Sequence, residues 1–244
     1  MRKILKSLDW LHEDLIMKGK CYYYLAEKFL EPNHGGMLLD VGCGGGDFIS
    51  YLTKTQLIKR GFVGLDPSNE ELNTAKKTNI TVVKAVATFL PFKNNSFENI
   101  SALEMIEHLG SNENITKTFN EFYRVLQNDG VLIISTPNKG KLLKYAFLDP
   151  GFWFGKHRHF SIDELDKMIR NIGFEIQEKL LSGGLIYVIF YYVLYWRARK
   201  YGLLRFSPVR AFWQRISKLA QSEYQKANID GCTIILKARK SNKI

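Results

Sequence analysis

The sequence contains few cysteines. Its 244 residues include three, Cys21, Cys43 and Cys232, which lie far apart and match no metal-ligand spacing. A disulfide framework needs more cysteines in an even number, so this pattern is typical of free thiols in a reducing compartment. We therefore expect a cytoplasmic protein.

The sequence also shows no export signal and no membrane-spanning run. It soon reaches Glu13 and Asp14, so it lacks the apolar core of a secretory signal. The stretch from Leu185 to Trp196 is entirely apolar or aromatic, but its twelve residues are too few for a bilayer span, which needs about 20. Because 45% of the residues are hydrophobic, the chain can bury a full core as one domain, 1–244.

Acidic residues are scarce relative to basic ones. The formal net charge is +11, which favours an anionic partner. Within 183–230, eight basic residues outnumber two acidic ones, so this segment contributes 8 − 2 = +6. The eight are Arg197, Arg199, Lys200, Arg205, Arg210, Arg215, Lys218 and Lys226, and the two are Glu223 and Asp230.

Segment 183–230 is far longer than an ordinary connection, so we interpret it as a functional, helical insertion before the last strand. An apolar stretch followed by a basic cluster suits a peripheral membrane contact through 185–200. A buried helix over the sheet edge, or a dimer contact, explains the pattern equally well. Nucleic acid binding is a third and less favoured alternative.

Strands and helices alternate along most of the chain. This alternation predicts an α/β fold with a doubly wound, seven-stranded, mostly parallel sheet. The predicted strands are Met37 to Val41, Phe62 to Leu65, Thr81 to Ala85, Ile100 to Leu103, Val131 to Ser135, Phe174 to Leu180 and Cys232 to Ala238. Three predicted helices cover 8 to 30, Glu70 to Lys77 and Asn114 to Leu126. Two more are predicted to begin at about Asp47 and near Ser161. Ser161 and Glu164 have the spacing of a capping box, which marks a helix start. A turn is predicted at 127 to 130.

The stretch L-L-D-V-G-C-G-G-G-D-F, 38 to 48, joins the first strand to a helix, and such a loop lets backbone N–H groups approach a ligand. Asp47 stands where a dinucleotide fingerprint has its third glycine, and its carboxylate would repel a pyrophosphate. Asp40 and Asp47 instead suit a cationic ligand that carries an ammonium group beside a sulfonium. Asp66 follows Gly46 by 20 residues, the spacing of an acidic residue that accepts hydrogen bonds from ribose hydroxyls.

From Met37 to Leu180, this loop and three later motifs resemble class I S-adenosylmethionine-dependent methyltransferases of the small-molecule type, like methyltransferase domain 11. The three motifs are A-V-A-T-F-L-P-F at 85 to 92, S-F-E-N-I-S-A-L-E-M-I-E-H-L at 96 to 109 and V-L-Q-N-D-G-V-L-I-I-S-T-P-N at 125 to 138. The resemblance implies a Rossmann-like methyltransferase fold and S-adenosylmethionine as cofactor. The cofactor would contact Asp40, Gly42, Cys43, Gly44, Asp66, Pro67, Ala87, Thr88 and Leu103, with Leu90 beside it. Val86 stands where the family often has an Asp for the adenine amino group.

His108 is the candidate catalytic residue. It lies just beyond the fourth strand, where the family faces the methyl group, and an imidazole can accept a hydroxyl proton near neutral pH. The site could therefore support O-methylation. A purely local role for His108, capping or packing at the start of a loop, is the alternative.

Glu104, Glu107 and His108 form E-x-x-E-H, a grouping that could bind a divalent ion, with His157 or His159 completing the shell. Ubiquinone-pathway O-methyltransferases and enzymes that methylate the terminal ribose of small RNAs have similar arrangements. Glu104 could instead lie under the cofactor and the two histidines in a substrate loop, so we assign no metal ligand.

The sequence therefore predicts a methyltransferase that transfers a methyl group from S-adenosylmethionine to an oxygen of a small or lipid-linked acceptor. A terminal-ribose RNA methyltransferase is one alternative. A non-catalytic module that binds the cofactor and holds a partner through the insertion is another.

Overall fold

The computed structural model describes residues 21–30, 36–55, 61–77, 80–140, 158–188 and 230–241, with scattered positions between 201 and 226. Its strands are β1 (Leu38–Val41), β2 (Phe62–Asp66), β3 (Thr81–Lys84), β4 (Phe97–Leu103), β5 (Leu126–Pro137), β6 (Phe174–Ser182) and β7 (Thr233–Lys240). Its helices are α1 (Tyr22–Phe29), α2 (Asp47–Thr55), α3 (Asn69–Lys76), a 3-10 helix (Ile106–His108), α4 (Asn112–Val125), α5 (Ile162–Ile172) and α6 (Leu185–Val188).

The strands form one seven-stranded sheet in the order β3-β2-β1-β4-β5-β7-β6. Strands β1 to β5 pair in parallel, and β7 runs antiparallel between β5 and β6. Central strands are covered on both faces, so they are apolar without interruption: Leu132, Ile133 and Ile134 are all fully buried. The predicted α/β fold with a doubly wound, mostly parallel sheet is confirmed.

Helix boundaries follow local capping chemistry. The hydroxyl of Ser161 accepts a hydrogen bond from the Glu164 N–H at 3.2 Å, so the predicted cap begins α5. The helix ends at Gly173, whose φ of 116° is a left-handed conformation that glycine adopts easily. Ser68 and Ser111 cap α3 and α4 in the same way.

The predicted turn at 127 to 130 is wrong. These residues belong to β5, which starts at Leu126 directly after α4. Phe97 pairs with Leu126 but Asn99 pairs with Val131, so β5 has more residues than β4 over this interval and the ladder is irregular. These residues still bend the chain locally, because Asp129 adopts a φ of 61° inside the strand.

Two predictions fall largely outside the described residues. Of the predicted helix over 8 to 30, the structure describes α1, and the residues before it lie outside. Of the insertion 183–230, it describes α6 and a few positions, of which those between 208 and 224 are helical. Within the described part of the chain, no helix is long and apolar enough to cross a bilayer.

Candidate functional site

The carboxyl-terminal ends of β1, β2 and β4 border a cavity of about 540 Å³. Strand β1 lies between β2 and β4, so the connections after β1 and β4 leave the sheet in different directions and open a crevice there. Seven predicted site residues line this cavity: Gly42, Gly44, Asp66, Pro67, Ala87, Thr88 and His108.

The glycine loop is shaped by close contacts that leave no room for side chains. Gly42 has a φ of 75°, and a Cβ at this position would lie 2.9 Å from the Cβ of Met105. The N–H groups of Gly42 and Cys43 both donate to the Leu65 carbonyl, at 2.7 and 3.0 Å. The loop is therefore tied to the end of β2, and its backbone forms one wall of the cavity.

Asp66 connects this loop to the next helix. One carboxylate oxygen accepts the Gly44 N–H at 3.0 Å, and the other accepts the Ser68 N–H at 2.9 Å. These two bonds fix the carboxylate at the cavity wall, while each oxygen retains a lone pair for a further donor. Asp66 is therefore placed to accept the two hydroxyl groups of a ribose.

The far wall of the cavity is the segment after β3. Ala87 is buried, whereas Val86 is 50% exposed and Phe89, which bridges to it, is 73% exposed. The predicted neighbour Leu90 is buried outside the cavity lining, where its N–H donates to Glu121 at 2.7 Å. The wall against which a flat base would pack therefore consists of Val86, Ala87 and Thr88.

Three predicted cofactor residues do not line the cavity. Asp40 is 3% exposed and accepts a 2.7 Å hydrogen bond from the Ser101 hydroxyl, which holds it inside the sheet. The Cys43 thiol turns toward Gly64, and burial raises its pKa to about 12. Leu103 is buried in the core. A loop motif gives the order of residues but not which side chains turn toward the ligand.

Glu104 places a carboxylate in the cavity wall, whereas Asp40 does not. It follows β4 directly, lines the cavity and has a φ of 50°, an unusual conformation for a residue with a side chain. Its N–H donates to the Ser135 carbonyl at 2.9 Å, and the Ser135 hydroxyl donates to its Oε1 at 2.9 Å. Burial raises the pKa of Glu104 to about 7, although the Ser135 hydrogen bond opposes this rise.

Glu107 lies beneath this wall. It is 3% exposed, accepts a 3.1 Å hydrogen bond from the Thr136 hydroxyl, and is not part of the cavity lining. Burial, and then the nearby Glu104, raise the pKa of the Glu107 carboxyl well above its usual range. Burial therefore favours the protonated form of both carboxyl groups, and negative charge on Glu104 favours protonation of Glu107 further.

His108 ends the 3-10 helix, and its N–H donates to the Met105 carbonyl at 3.0 Å. This short helix places His108, Met105 and Leu109 in the cavity wall together with Asn114 from α4 and Glu71 from α3. Of these residues, the sequence predicted only His108. Their common signal is position, because each follows the carboxyl end of a parallel strand or begins the helix after it.

The E-x-x-E-H grouping does not assemble a metal site from the part of the chain that the structure describes. No group of three His, Cys, Asp or Glu side chains among those residues could hold an ion. His157 lies outside the described residues. His159 is described, but it is not among the cavity residues. We therefore derive no step through a metal ion.

Comparison with known proteins agrees with this geometry. Residues 39–134 match the family model described as a methyltransferase domain. A 141-residue alignment with an uncharacterized protein of Methanocaldococcus jannaschii is 36% identical and covers 56% of this chain and 49% of that protein. A Campylobacter jejuni ubiquinone/menaquinone biosynthesis C-methyltransferase is 33% identical over 40% of this chain and 43% of its own length. The chain spans about half the length of the curated relatives it matches.

Two further matches bear on the oxygen prediction and the fold. An O-methyltransferase of Pyrenophora dematioidea is 27% identical over 61% of this chain and 58% of that protein. A crystal structure of an S-adenosylmethionine-dependent methyltransferase from Thermotoga maritima superposes with a TM-score of 0.64 at 22% identity, covering 95% of this chain and 98% of that one. At this identity, the second match supports the fold alone.

The sheet order, the glycine loop and the family match define a class I S-adenosylmethionine-dependent methyltransferase domain. Residues 39–134 carry the matched methyltransferase domain, and this class of domain implies S-adenosylmethionine as the cofactor. The cavity fits that group, because Asp66 can accept the ribose hydroxyls, Ala87 and Thr88 can pack on the adenine, and Glu71 and Glu104 bring negative charge for a cation. When bound, the cofactor supplies a methyl group on a positively charged sulfur.

Proposed function

We propose that the protein methylates a hydroxyl oxygen of a small or lipid-linked acceptor. The observation that carries the proposal is that His108 lines the same cavity as Gly44 and Asp66. A basic side chain therefore shares a cavity with the residues that we assign to the methyl donor. An alcohol or phenol needs such a base, because its oxygen must lose a proton as it attacks.

The chemistry requires little beyond positioning and one proton transfer. The acceptor oxygen forms a bond to the methyl carbon while the carbon–sulfur bond breaks, and the hydroxyl proton passes to the imidazole of His108. Met105 and Leu109 make the wall beside His108 apolar, which limits competing water. Glu104, whose pKa is raised to about 7, places a carboxyl group on the same wall as His108.

The proposal of a lipid-linked acceptor rests on segment 185–200. Twelve apolar or aromatic residues there precede a basic cluster, a pattern suited to a membrane interface. In the described part of this segment, Leu185 in α6 is 44% exposed. One relative is named as a ubiquinone/menaquinone biosynthesis C-methyltransferase, and an apolar quinone is an acceptor of comparable polarity.

Labelled methyl transfer to fractionated cell extract tests the proposal. The purified protein is incubated with methyl-labelled S-adenosylmethionine, with and without chelator, and the aqueous, RNA and organic fractions are counted. We expect chelator-insensitive label in a small-molecule or organic fraction, in a methyl ether whose labelled methyl group leaves as methyl iodide on treatment with hydriodic acid. Label on carbon or nitrogen would contradict O-methylation.

Two variants make this test specific. His108→Gln keeps a hydrogen-bonding side chain but removes the base, and we expect turnover to fall about 100-fold or more while cofactor binding stays unchanged. Lys117→Gln, on the exposed face of α4, is the matched control and keeps full turnover. Metal-dependent label in RNA would favour the terminal-ribose reaction, and cofactor binding with no label in any fraction would favour a binding module.

A further inference from the structure

Asn114 lines the cofactor cavity but belongs to α4, outside the glycine loop and the three later motifs. It is the third residue of that helix, and its N–H donates to the hydroxyl of the capping residue Ser111 at 3.1 Å. The helix and its cap fix the Asn114 backbone, so the side chain meets the cavity from a rigid position. The methyl transfer proposed above gives this side chain no role.

The carboxamide of Asn114 has one defined orientation. Its Nδ2 donates to the Leu109 carbonyl at 3.0 Å. A carbonyl oxygen can only accept, so the nitrogen of the carboxamide lies at this contact and its oxygen points away from it. No group in the described part of the chain donates to Oδ1 of Asn114. This oxygen is therefore available to accept a hydrogen bond from a ligand in the cavity.

The segment after β3, which contains the adenine wall (86–88), runs antiparallel to α4. At the end of the helix, the Ser96 N–H donates to the Val125 carbonyl at 2.7 Å. Earlier in the segment, the Leu90 N–H donates to the Glu121 carboxylate at 2.7 Å, about one turn nearer the helix start. Residues that precede Leu90 therefore lie beside the first half of α4.

Helix geometry brings Asn114 to this wall. Asn114 precedes Glu121 by seven residues, which is about two turns, so the two side chains lie on the same face of α4. Asn114 therefore lies about 10 Å closer to the helix start than Glu121, in the direction of the adenine wall. Asn114, Leu109 and the adenine wall line the same cavity, so the carboxamide and the wall face a shared ligand.

The adenine wall offers few hydrogen-bonding groups of its own. The side chains of Val86 and Ala87 are apolar, and the Val86 carbonyl already accepts the Phe89 N–H at 3.1 Å. The exocyclic amino group of adenine carries two N–H donors, and a donor that leaves water without gaining a partner weakens binding. Beside the wall, Oδ1 of Asn114 and the Thr88 hydroxyl are groups that can accept from it.

We propose that the Asn114 carboxamide oxygen accepts a hydrogen bond from the adenine amino group of the cofactor. This oxygen can only accept, whereas the Thr88 hydroxyl can also donate, so the carboxamide distinguishes an amino group from a carbonyl at that position of the base. Asparagine reads the amino group of adenine in DNA by the same pairing. Asn114 is therefore a specificity-determining residue for the methyl donor, an inference that rests on the assignment of S-adenosylmethionine to this cavity.

Calorimetry with two matched ligands tests this contact. The full chain is titrated with S-adenosylhomocysteine and with the analogue that carries a hydrogen atom in place of the adenine amino group. We expect S-adenosylhomocysteine to bind about three- to tenfold more tightly, because the analogue lacks the donor. We call the ratio of the two dissociation constants the amino preference, and its measurement requires no turnover.

Variants assign the amino preference to Asn114. Asn114→Leu and the smaller Asn114→Ala remove the acceptor, and we expect the preference to fall to about one while the affinity for the analogue stays unchanged. Asn114→Asp keeps an acceptor oxygen and should keep the preference. Asn120→Leu is the matched control, because Asn120 is exposed on the same helix, donates from Nδ2 to the Thr116 carbonyl at 2.9 Å, and does not line the cavity. It should bind both ligands as the unaltered protein does.

Three results would overturn the proposal. The first is equal binding of the two ligands by the unaltered protein. The second is an undiminished amino preference in Asn114→Leu and Asn114→Ala. The third is a preference that is lost in Thr88→Val instead, which would place the acceptor on the adenine wall. An unaltered protein that binds neither ligand would count against the cofactor assignment itself, so the two conclusions fail separately.

Discussion

The hydroxyl of Ser135 donates a 2.9 Å hydrogen bond to Oε1 of Glu104, and the Glu104 N–H donates in return to the Ser135 carbonyl at 2.9 Å. This pair joins the ends of β4 and β5 and holds a carboxylate at the cavity wall despite a φ of 50°. The charge available to a cationic cofactor therefore depends on a neighbouring strand as well as on the glycine loop.

Replacing Ser135 with Ala should weaken binding of S-adenosylmethionine in a pH-dependent way. The Ser135 hydrogen bond lowers the pKa of Glu104, so its loss leaves more of that carboxyl protonated near pH 7. We expect affinity to fall about three- to tenfold at pH 7, with a smaller difference at higher pH. Isothermal titration calorimetry over a pH series measures this, and equal affinities at every pH would contradict it.

Glu104→Gln should change stability and binding in opposite directions. The folded protein holds the pKa of Glu104 near 7, above the unfolded value, so the carboxyl favours folding while protonated and that contribution is lost as pH rises toward 7 and beyond. The cofactor-free variant should therefore be more stable than the parent by about 1–3 kcal/mol above pH 7 and no more stable near pH 4. Urea unfolding at both pH values measures this.

The same variant should bind S-adenosylmethionine more weakly, because the carboxylate that faces its positive charge is gone. Glu113→Gln, which changes an exposed carboxylate on α4, is the control and should leave both stability and cofactor affinity unchanged. A Glu104→Gln protein whose stability advantage is the same at both pH values would show that another group causes the pH dependence.

Gly42→Ala should weaken cofactor binding. Gly42 and Gly110 share a φ of 75°, but a Cβ at Gly42 would meet the Met105 side chain, whereas a Cβ at Gly110 meets nothing within 4 Å. Gly110→Ala therefore measures the backbone strain alone, about 1–2 kcal/mol of stability. Gly42→Ala should cost more and lower the affinity for S-adenosylhomocysteine at least about tenfold. Equal effects of the two variants on binding would contradict a close approach at Gly42.

Val86→Asp should strengthen cofactor binding. Val86 lines the cavity and is 50% exposed. The family resemblance implies an Asp for the adenine amino group at this position. A carboxylate here can accept a hydrogen bond from that group, and we expect affinity to rise about three- to tenfold. Val86→Leu is the apolar control and should leave affinity unchanged. A weaker-binding Val86→Asp would show that the base lies elsewhere.

The order of elements, the cofactor class and the glycine loop could be predicted from the sequence because each depends on neighbours in the chain. Alternating periodicity defines strands and helices, and the capping serine at 161 acts within one turn of its own helix. The loop from Gly42 to Gly46 and Asp66 lie at the ends of adjacent strands, so their meeting follows once the sheet is known. The turn predicted at 127 to 130 was wrong because β5 pairs with β4 across these residues, so Asp129 bends the chain within a strand.

The direction in which each side chain points was decided only by the tertiary structure. Asp40 lies in β1 and Glu104 directly follows β4, yet the Ser101 hydroxyl holds Asp40 inside the sheet, whereas Ser135 holds Glu104 at the cavity. These contacts join residues that are distant in the chain, so the local sequence does not predict them. By itself the sequence determined the fold and the class of cofactor. Packing between strands decided which carboxylate lines the site, because the face of a strand that meets a ligand is set by its neighbours.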